Sequence, residues 1–185
     1  MSVRITGGLV KARKLPPLKG LRIRPTSERV RGAIFSIIGD SGIQGKYILD
    51  LYSGTGALGI EALSRGARYV DFVEKEGRQC QMIRRAVDDF GFSDQIHIYQ
   101  DKVEKTLKLL KEKYELIFMD PPYESGEIDL AMKLIDQNSL IKSTGLIIVE
   151  HSRRDRLDAK YGQLKMFKNR NYGDTDICIF KPEEL

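Results

Sequence analysis

No stretch of this 185-residue sequence approaches the roughly 20 consecutive apolar residues that a membrane-spanning helix needs, which excludes an integral helical membrane protein. The opening Met1-Ser2-Val3-Arg4 lacks an apolar h-region, and we expect no signal peptide. Cysteine is scarce. Cys80 and Cys178 stand far apart and match no metal-ligand spacing, so no metal site is expected. Both sit in apolar patterns and read as core thiols. This usage implies a reducing compartment, hence the cytoplasm. There is no internal repeat and no low-complexity linker. Acid is nearly missing from the first 31 residues. Glu28 stands alone against nine basic residues, so that segment carries +8 while the other 154 residues carry −3. A one-signed excess of this size is the electrostatic footprint of a polyanionic partner.

What is present suits one α/β domain. Hydrophobic residues make up 41% and charged residues 31%, and the chain is long enough to bury its own core. Residues 3–15 read as a short β-hairpin broken at Gly7-Gly8 and ended by Pro16-Pro17. A helix starting near Thr26 as N-cap would place Val30, Ala33, Ile34, Ile37 and Ile38 on one face. From residue 46 strand and helix alternate. Strands are predicted over 47–51, 69–74, 96–100, 115–119 and 146–150, and helices over 57–65, 77–90, 103–113 and 128–138. Short buried strands separated by helices predict a mostly parallel sheet covered on both faces. Two further strands, 164–168 and 176–180, have no helix between them and are expected to pair antiparallel.

The first of these strands runs into Asp50-Leu51-Tyr52-Ser53-Gly54-Thr55-Gly56-Ala57-Leu58-Gly59. Glycines here let the backbone turn tightly and approach a ligand at the N-terminus of the next helix. The second strand ends at Glu74, about 20 residues on, where an acid can accept from both ribose hydroxyls. Asp101 follows the third strand and can reach an adenine amino group. The candidate cofactor residues are Asp50, Tyr52, Ser53, Gly54, Gly56, Glu74, Lys75, Asp101 and Lys102. The string Gly54-x-Gly56-x-x-Gly59 also fits a dinucleotide fingerprint, so an NAD oxidoreductase is a rival. Against it, Asp50 would repel a pyrophosphate, whereas it can bind the cationic methionyl end of S-adenosylmethionine.

The fourth strand runs into Asp120-Pro121-Pro122-Tyr123. Two prolines stiffen this loop and remove two N–H donors. Its carbonyls and the Asp120 carboxylate are left to grip both N–H bonds of an exocyclic amine and turn the lone pair toward a methyl donor. Tyr123 offers a flat surface for a base, worth about 1–3 kcal/mol. A sulfonium already activates the methyl group, so the protein's part is alignment and electrostatics. Asp120, Pro121, Pro122 and Tyr123 are the candidate catalytic residues. The base must be flipped out or unpaired to reach them.

These motifs resemble the class I, Rossmann-like methyltransferases that act on amino groups. More narrowly, the chain resembles the RsmD family of bacterial 16S rRNA guanine-N2-methyltransferases over nearly its whole length. The resemblance rests on Arg4 to Gly8, Arg13-Lys14-Leu15, Arg24 to Arg31, Asp50 to Gly59, Glu61 to Ala67, Asp120 to Tyr123 and Tyr172 to Thr175. Ala12 departs from an expected glycine and Ser36 from a common asparagine. The resemblance implies a seven-stranded sheet with its last strand antiparallel, and S-adenosyl-L-methionine as cofactor. It also implies guanine N2 of 16S rRNA as target, within an assembled or partly assembled 30S subunit. We expect a basic hairpin extension over residues 1–25 that contacts RNA, a methyltransferase domain over 26–185, and a monomer with no membrane partner. The candidate RNA contacts are Arg4, Lys11, Arg13, Lys14, Arg22, Arg24, Arg29 and Arg31. Two rivals share the motifs: an adenine-N6-methyltransferase of DNA or RNA, and an RNA-binding ribosome assembly factor with a silent cofactor site. His97 reads as a solvent-side or a satisfied strand residue. His151 stands near the expected substrate. Arg153, Arg154 and Arg156 either extend the RNA surface or cap a short helix.

Overall fold

The computed structural model describes residues 3–16, 27–122 and 126–183. In chain order the elements are α1 (Glu28–Ile38), β1 (Tyr47–Leu51), α2 (Ala57–Ser64), β2 (Tyr69–Val73), α3 (Gly77–Phe90), β3 (Ile96–Tyr99) and α4 (Val103–Leu109). They continue with β4 (Tyr114–Met119), α5 (Glu127–Gln137), β5 (Ile141–Ser152), β6 (Lys160–Tyr161), β7 (Leu164–Tyr172) and β8 (Thr175–Pro182). One sheet holds all eight strands in the order β3-β2-β1-β4-β5-β8-β7-β6. β1 to β5 pair in parallel, and β8 enters antiparallel beside β5. This is the expected class I arrangement, with the two-residue β6 added at the edge. The strand order reverses between β1 and β4, the point at which open α/β sheets bind ligands beyond their carboxyl ends.

Alternation along the strands divides the core in two. Ile48, Phe72, Phe118, Ile148 and Ile177 pack on the face covered by α1, α2 and α3. Leu49, Leu51, Ile147, Val149 and Phe180 pack on the face covered by α4 and α5. Cys80 and Cys178 are buried and free, as their patterns predict. α1 is capped one residue later than expected: Ser27 accepts from the Val30 N–H at 3.1 Å, and Thr26 lies outside the described residues.

The N-terminal pairing forms as predicted, with Arg4 opposite Lys14 and the Ile5 N–H donating to the Arg13 carbonyl at 3.0 Å. Ala12 takes a left-handed φ of 68°, a conformation that a glycine there would adopt without strain. The hairpin docks on the C-terminal end of α2. The Leu9 N–H donates to the Ser64 carbonyl at 2.7 Å, and the Ser64 hydroxyl donates to the Gly7 carbonyl at 2.6 Å. These bonds serve a helix end whose carbonyls lack partners within the helix. Beneath them lies a buried ion network. Glu61 pairs with Arg31 at 2.8 Å and with Arg65 at 3.0 Å, and it also accepts from the backbone N–H and hydroxyl of Thr6. Arg31 reaches on to the Arg4 carbonyl.

Candidate active site

A cavity of about 510 Å³ opens at the carboxyl ends of β1 to β5, where the sheet order reverses. Its floor at β1 is set by packing. The Asp50 carboxylate accepts from the Gly59 N–H at 2.9 Å and so caps α2 from the neighbouring strand. A Cβ at Gly59 would sit 2.3 Å from the Phe72 ring and 2.9 Å from Asp50 Oδ2, so only glycine lets helix and strand approach this closely. Burial pushes the Asp50 carboxyl well above the ordinary aspartate range. The Gly59 N–H draws it back, and the charges of Asp120 and Glu74 raise it further. The carboxylate also occupies the helix N-terminus that a pyrophosphate would need, which disfavours the dinucleotide reading.

Glu74, directly after β2, is held from both sides. Its two oxygens accept from the Gly54 N–H at 2.8 Å and the Glu76 N–H at 2.9 Å. With its amide nitrogen facing Glu74, Gln79 adds a bond at 3.0 Å and a second to the Gly54 carbonyl at 3.3 Å. A carboxylate has about four acceptor positions, so capacity remains for hydroxyls in the cavity. Tyr52 adopts a φ of 56°, unusual for a side chain of its size, and its hydroxyl donates to the Glu127 carbonyl at 3.5 Å. Burial, and after it the charges of Glu127 and Glu104, raise its phenol above the ordinary tyrosine range. Asp101 accepts from the Lys102 N–H at 2.7 Å.

The structure gathers Asp50, Tyr52, Ser53, Gly54, Glu74, Lys75, Asp101 and Lys102 on one wall, with Asp120, Pro121 and Pro122 on the same cavity. Gly56 does not line it. Its role is the turn into α2, at a left-handed φ of 72°. Tyr123 lies outside the described residues, as do Arg22 and Arg24. Arg4, Lys11, Arg13, Lys14 and Arg29 are exposed. Arg13 is partly engaged, donating to the Asp89 carbonyl at 3.0 Å and lying over the Phe90 ring. Arg31 must be corrected as an RNA contact. It is 0% exposed and locked to Glu61, so it offers nothing to a polyanion and instead fastens the hairpin to the domain.

His151 is buried, with its ring nitrogens at 2.8 Å from the Ser152 carbonyl and 3.3 Å from Cys178 Sγ. It does not line the cavity. His97 is exposed, as expected. No helix forms around Arg153, Arg154 and Arg156. They lie in an exposed turn tied to the β7–β8 hairpin by the Arg153 N–H and the Asp174 carbonyl at 2.9 Å. Ser27, Val30, Glu150 and Thr175 line the cavity and escaped the sequence reading. For Glu150 a signal existed: it closes the predicted strand 146–150 with an acid, beside the strand that runs into Asp120.

The family described as Conserved hypothetical protein 95 matches residues 3–181 of the chain. The YlbH protein of Bacillus subtilis (strain 168) is 32% identical over 182 residues, covering 97% of this chain and 98% of that one. Ribosomal RNA small subunit methyltransferase D of Escherichia coli (strain K12) is 28% identical over 181 residues, covering 98% and 90%. Among solved structures, the yhhF protein of Escherichia coli matches with a TM-score of 0.87 at 24% identity, over 100% of both chains.

Proposed function

The chain belongs to the RsmD family of ribosomal RNA methyltransferases, and from that premise we propose that it methylates the exocyclic N2 amine of a guanine in 16S rRNA. The methyl donor is S-adenosyl-L-methionine, and the substrate is the assembled or partly assembled 30S subunit. The enzyme works in the cytoplasm as a monomer. Among the described residues no helix is long and apolar enough to cross a membrane. One observation carries the reading: the Asp120-Pro121-Pro122 rim and the wall of Asp50, Gly54, Glu74 and Asp101 share a single cavity.

The residues present fit the donor. The cavity lies within the roughly 300–1,000 Å³ typical of small-molecule sites. Glu74, fixed by two backbone N–H groups, suits a ribose diol, and Asp101 suits an adenine amine. When bound, S-adenosylmethionine supplies a methyl group made electrophilic by its sulfonium. Asp120 and the loop carbonyls hold the amine by its N–H bonds and aim its lone pair. Asp120 also stabilises the positive charge that develops on nitrogen, a preorganised effect that costs no rearrangement at the moment of reaction. Tyr123 supplies the stacking surface. Exposed Arg4, Lys11, Lys14 and Arg29, joined by Arg22 and Arg24, bind RNA phosphates, while the buried Arg31 holds their platform in place. Residues 1–25 act as the RNA-contacting extension and 26–185 as the transferase domain.

Mass spectrometry of 16S rRNA from a strain lacking this gene tests the reading. One N2-methylguanosine should be missing and should return with the wild-type gene. An unchanged nucleoside inventory would refute it.

A further inference from the structure

Glu150, on β5, is an acid of the cavity to which the chemistry above gives no task. It is 4% exposed and lines the cavity. Met119 lies opposite Val149 in the parallel register, so Asp120, directly after β4, stands beside Glu150 within β5, about one strand spacing of 4.8 Å away. β8 is next in the sheet, and Thr175 at its start is 5% exposed and lines the same cavity. Phe118, Ile148 and Ile177 share the α1 face. Two-residue alternation therefore puts Asp120, Glu150 and Thr175 on that face too. Across the mouth of the cavity the order is β4, β5, β8: carboxylate, carboxylate, hydroxyl.

The pairing edge of guanine presents its groups in a matching order: the 2-amino group, the N1–H donor, then the O6 acceptor. Among the bases that carry an exocyclic amine, only guanine follows it with an N–H donor on this edge. Adenine and cytosine follow theirs with a ring nitrogen that accepts. A carboxylate beside the amine site thus complements guanine and sets two lone pairs face to face with the other bases.

We propose that Glu150 and Thr175 form the base-reading subsite of the cavity. The Glu150 carboxylate accepts from guanine N1–H, the Thr175 hydroxyl donates to O6, and Asp120 with the proline loop holds the amine. This rests on the amino-group methyl transfer proposed above and names the residues that make its target guanine. Accepting from N1–H also leaves more electron density on the neighbouring amine. A site built to hydrogen-bond a substrate rejects the analogue that lacks the group, because its own buried polar atoms are then left unpaired.

2-Aminopurine separates the alternatives. It keeps the 2-amino group, has no O6, and bears an acceptor at N1. The test compares kcat/KM for 16S rRNA carrying guanine or 2-aminopurine at the methylated nucleotide. Wild type should prefer guanine by about 100-fold or more. Glu150→Gln, whose amide can also donate, should lower that preference by about 10-fold or more. Its affinity for S-adenosylhomocysteine should stay within about 2-fold, because the cofactor wall is untouched. If the variant fails to fold, the wild-type ratio alone decides. A wild-type ratio near one, or a ratio unchanged in Glu150→Gln, would overturn this subsite and leave guanine methylation standing. Methyl transfer to adenine-bearing but not guanine-bearing rRNA would overturn the wider reading as well.

Discussion

Replacing Glu61 with alanine removes the centre of the network that fastens the N-terminal hairpin. Glu61 and Arg31 are both 0% exposed, and their 2.8 Å contact is sealed from water by α1, α2 and the hairpin. Without the carboxylate, Arg31 becomes a buried cation lacking its counter-charge, and the Thr6 N–H and Arg65 lose an acceptor. Deleting one partner of a buried pair costs about 3–5 kcal/mol. That is a large share of the roughly 5–15 kcal/mol that holds a typical domain together. Urea unfolding followed by circular dichroism should show a midpoint lowered accordingly, at an unchanged slope. Removing both charges with Arg31→Met and Glu61→Leu should recover part of the loss, because an apolar pair has no desolvation cost to offset. A loss below about 1 kcal/mol for Glu61→Ala, the value of an exposed pair, would refute the claim that this network is dry and supports the hairpin.

Other expectations concern the cavity and the basic face. The Asp50 carboxyl binds its proton more tightly in the folded chain than in the unfolded one. Its contribution is whole below the ordinary aspartate pKa of 3.8 and is lost as pH rises through the raised value. Asp50→Asn should therefore melt higher than wild type at neutral pH, with the gap closing on acidification; a gap independent of pH would contradict this. Gly59→Ala forces a methyl group against Phe72 and should cost about 1–3 kcal/mol while weakening S-adenosylhomocysteine binding, as calorimetry would report. Reversing the exposed Lys11 and Lys14 to glutamate should weaken RNA binding and flatten its dependence on salt by about one unit of slope per lost phosphate contact. Equal slopes for variant and wild type would remove the hairpin from the interface.

Much of the fold was legible because the period of the hydrophobic pattern changes cleanly between strand and helix. β1 and α3 end where the sequence places them, since Gly91 stops the helix in a left-handed cap. The glycine loop and the proline rim were legible as chemistry, because few other uses require those residues after buried strands. The late hairpin was read too short. Asn169 to Tyr172 have the composition of a loop, yet pairing with the buried β8 carries β7 through to Tyr172 and leaves only Gly173 and Asp174 as the turn. In α4 the pattern continued past Leu109, but Leu110 turns extended to bury its side chain beneath the sheet. Arg31 was misread because local charge does not reveal that its partner lies 30 residues away on α2. Glu150 and Thr175 were missed because only the sheet order sets β5 beside β4 and β8 beside β5.

The central claim is that the proline-bearing rim at the end of β4 seats a guanine amine against the methyl donor. Purified protein, S-adenosylmethionine with a labelled methyl group, and small subunits from cells lacking the enzyme test it directly. Wild type should place the label in N2-methylguanosine, and Asp120→Ala should be slower by about 100-fold or more while still binding S-adenosylhomocysteine. Full-rate transfer by Asp120→Ala, or label found on any group other than a base amine, would contradict the account.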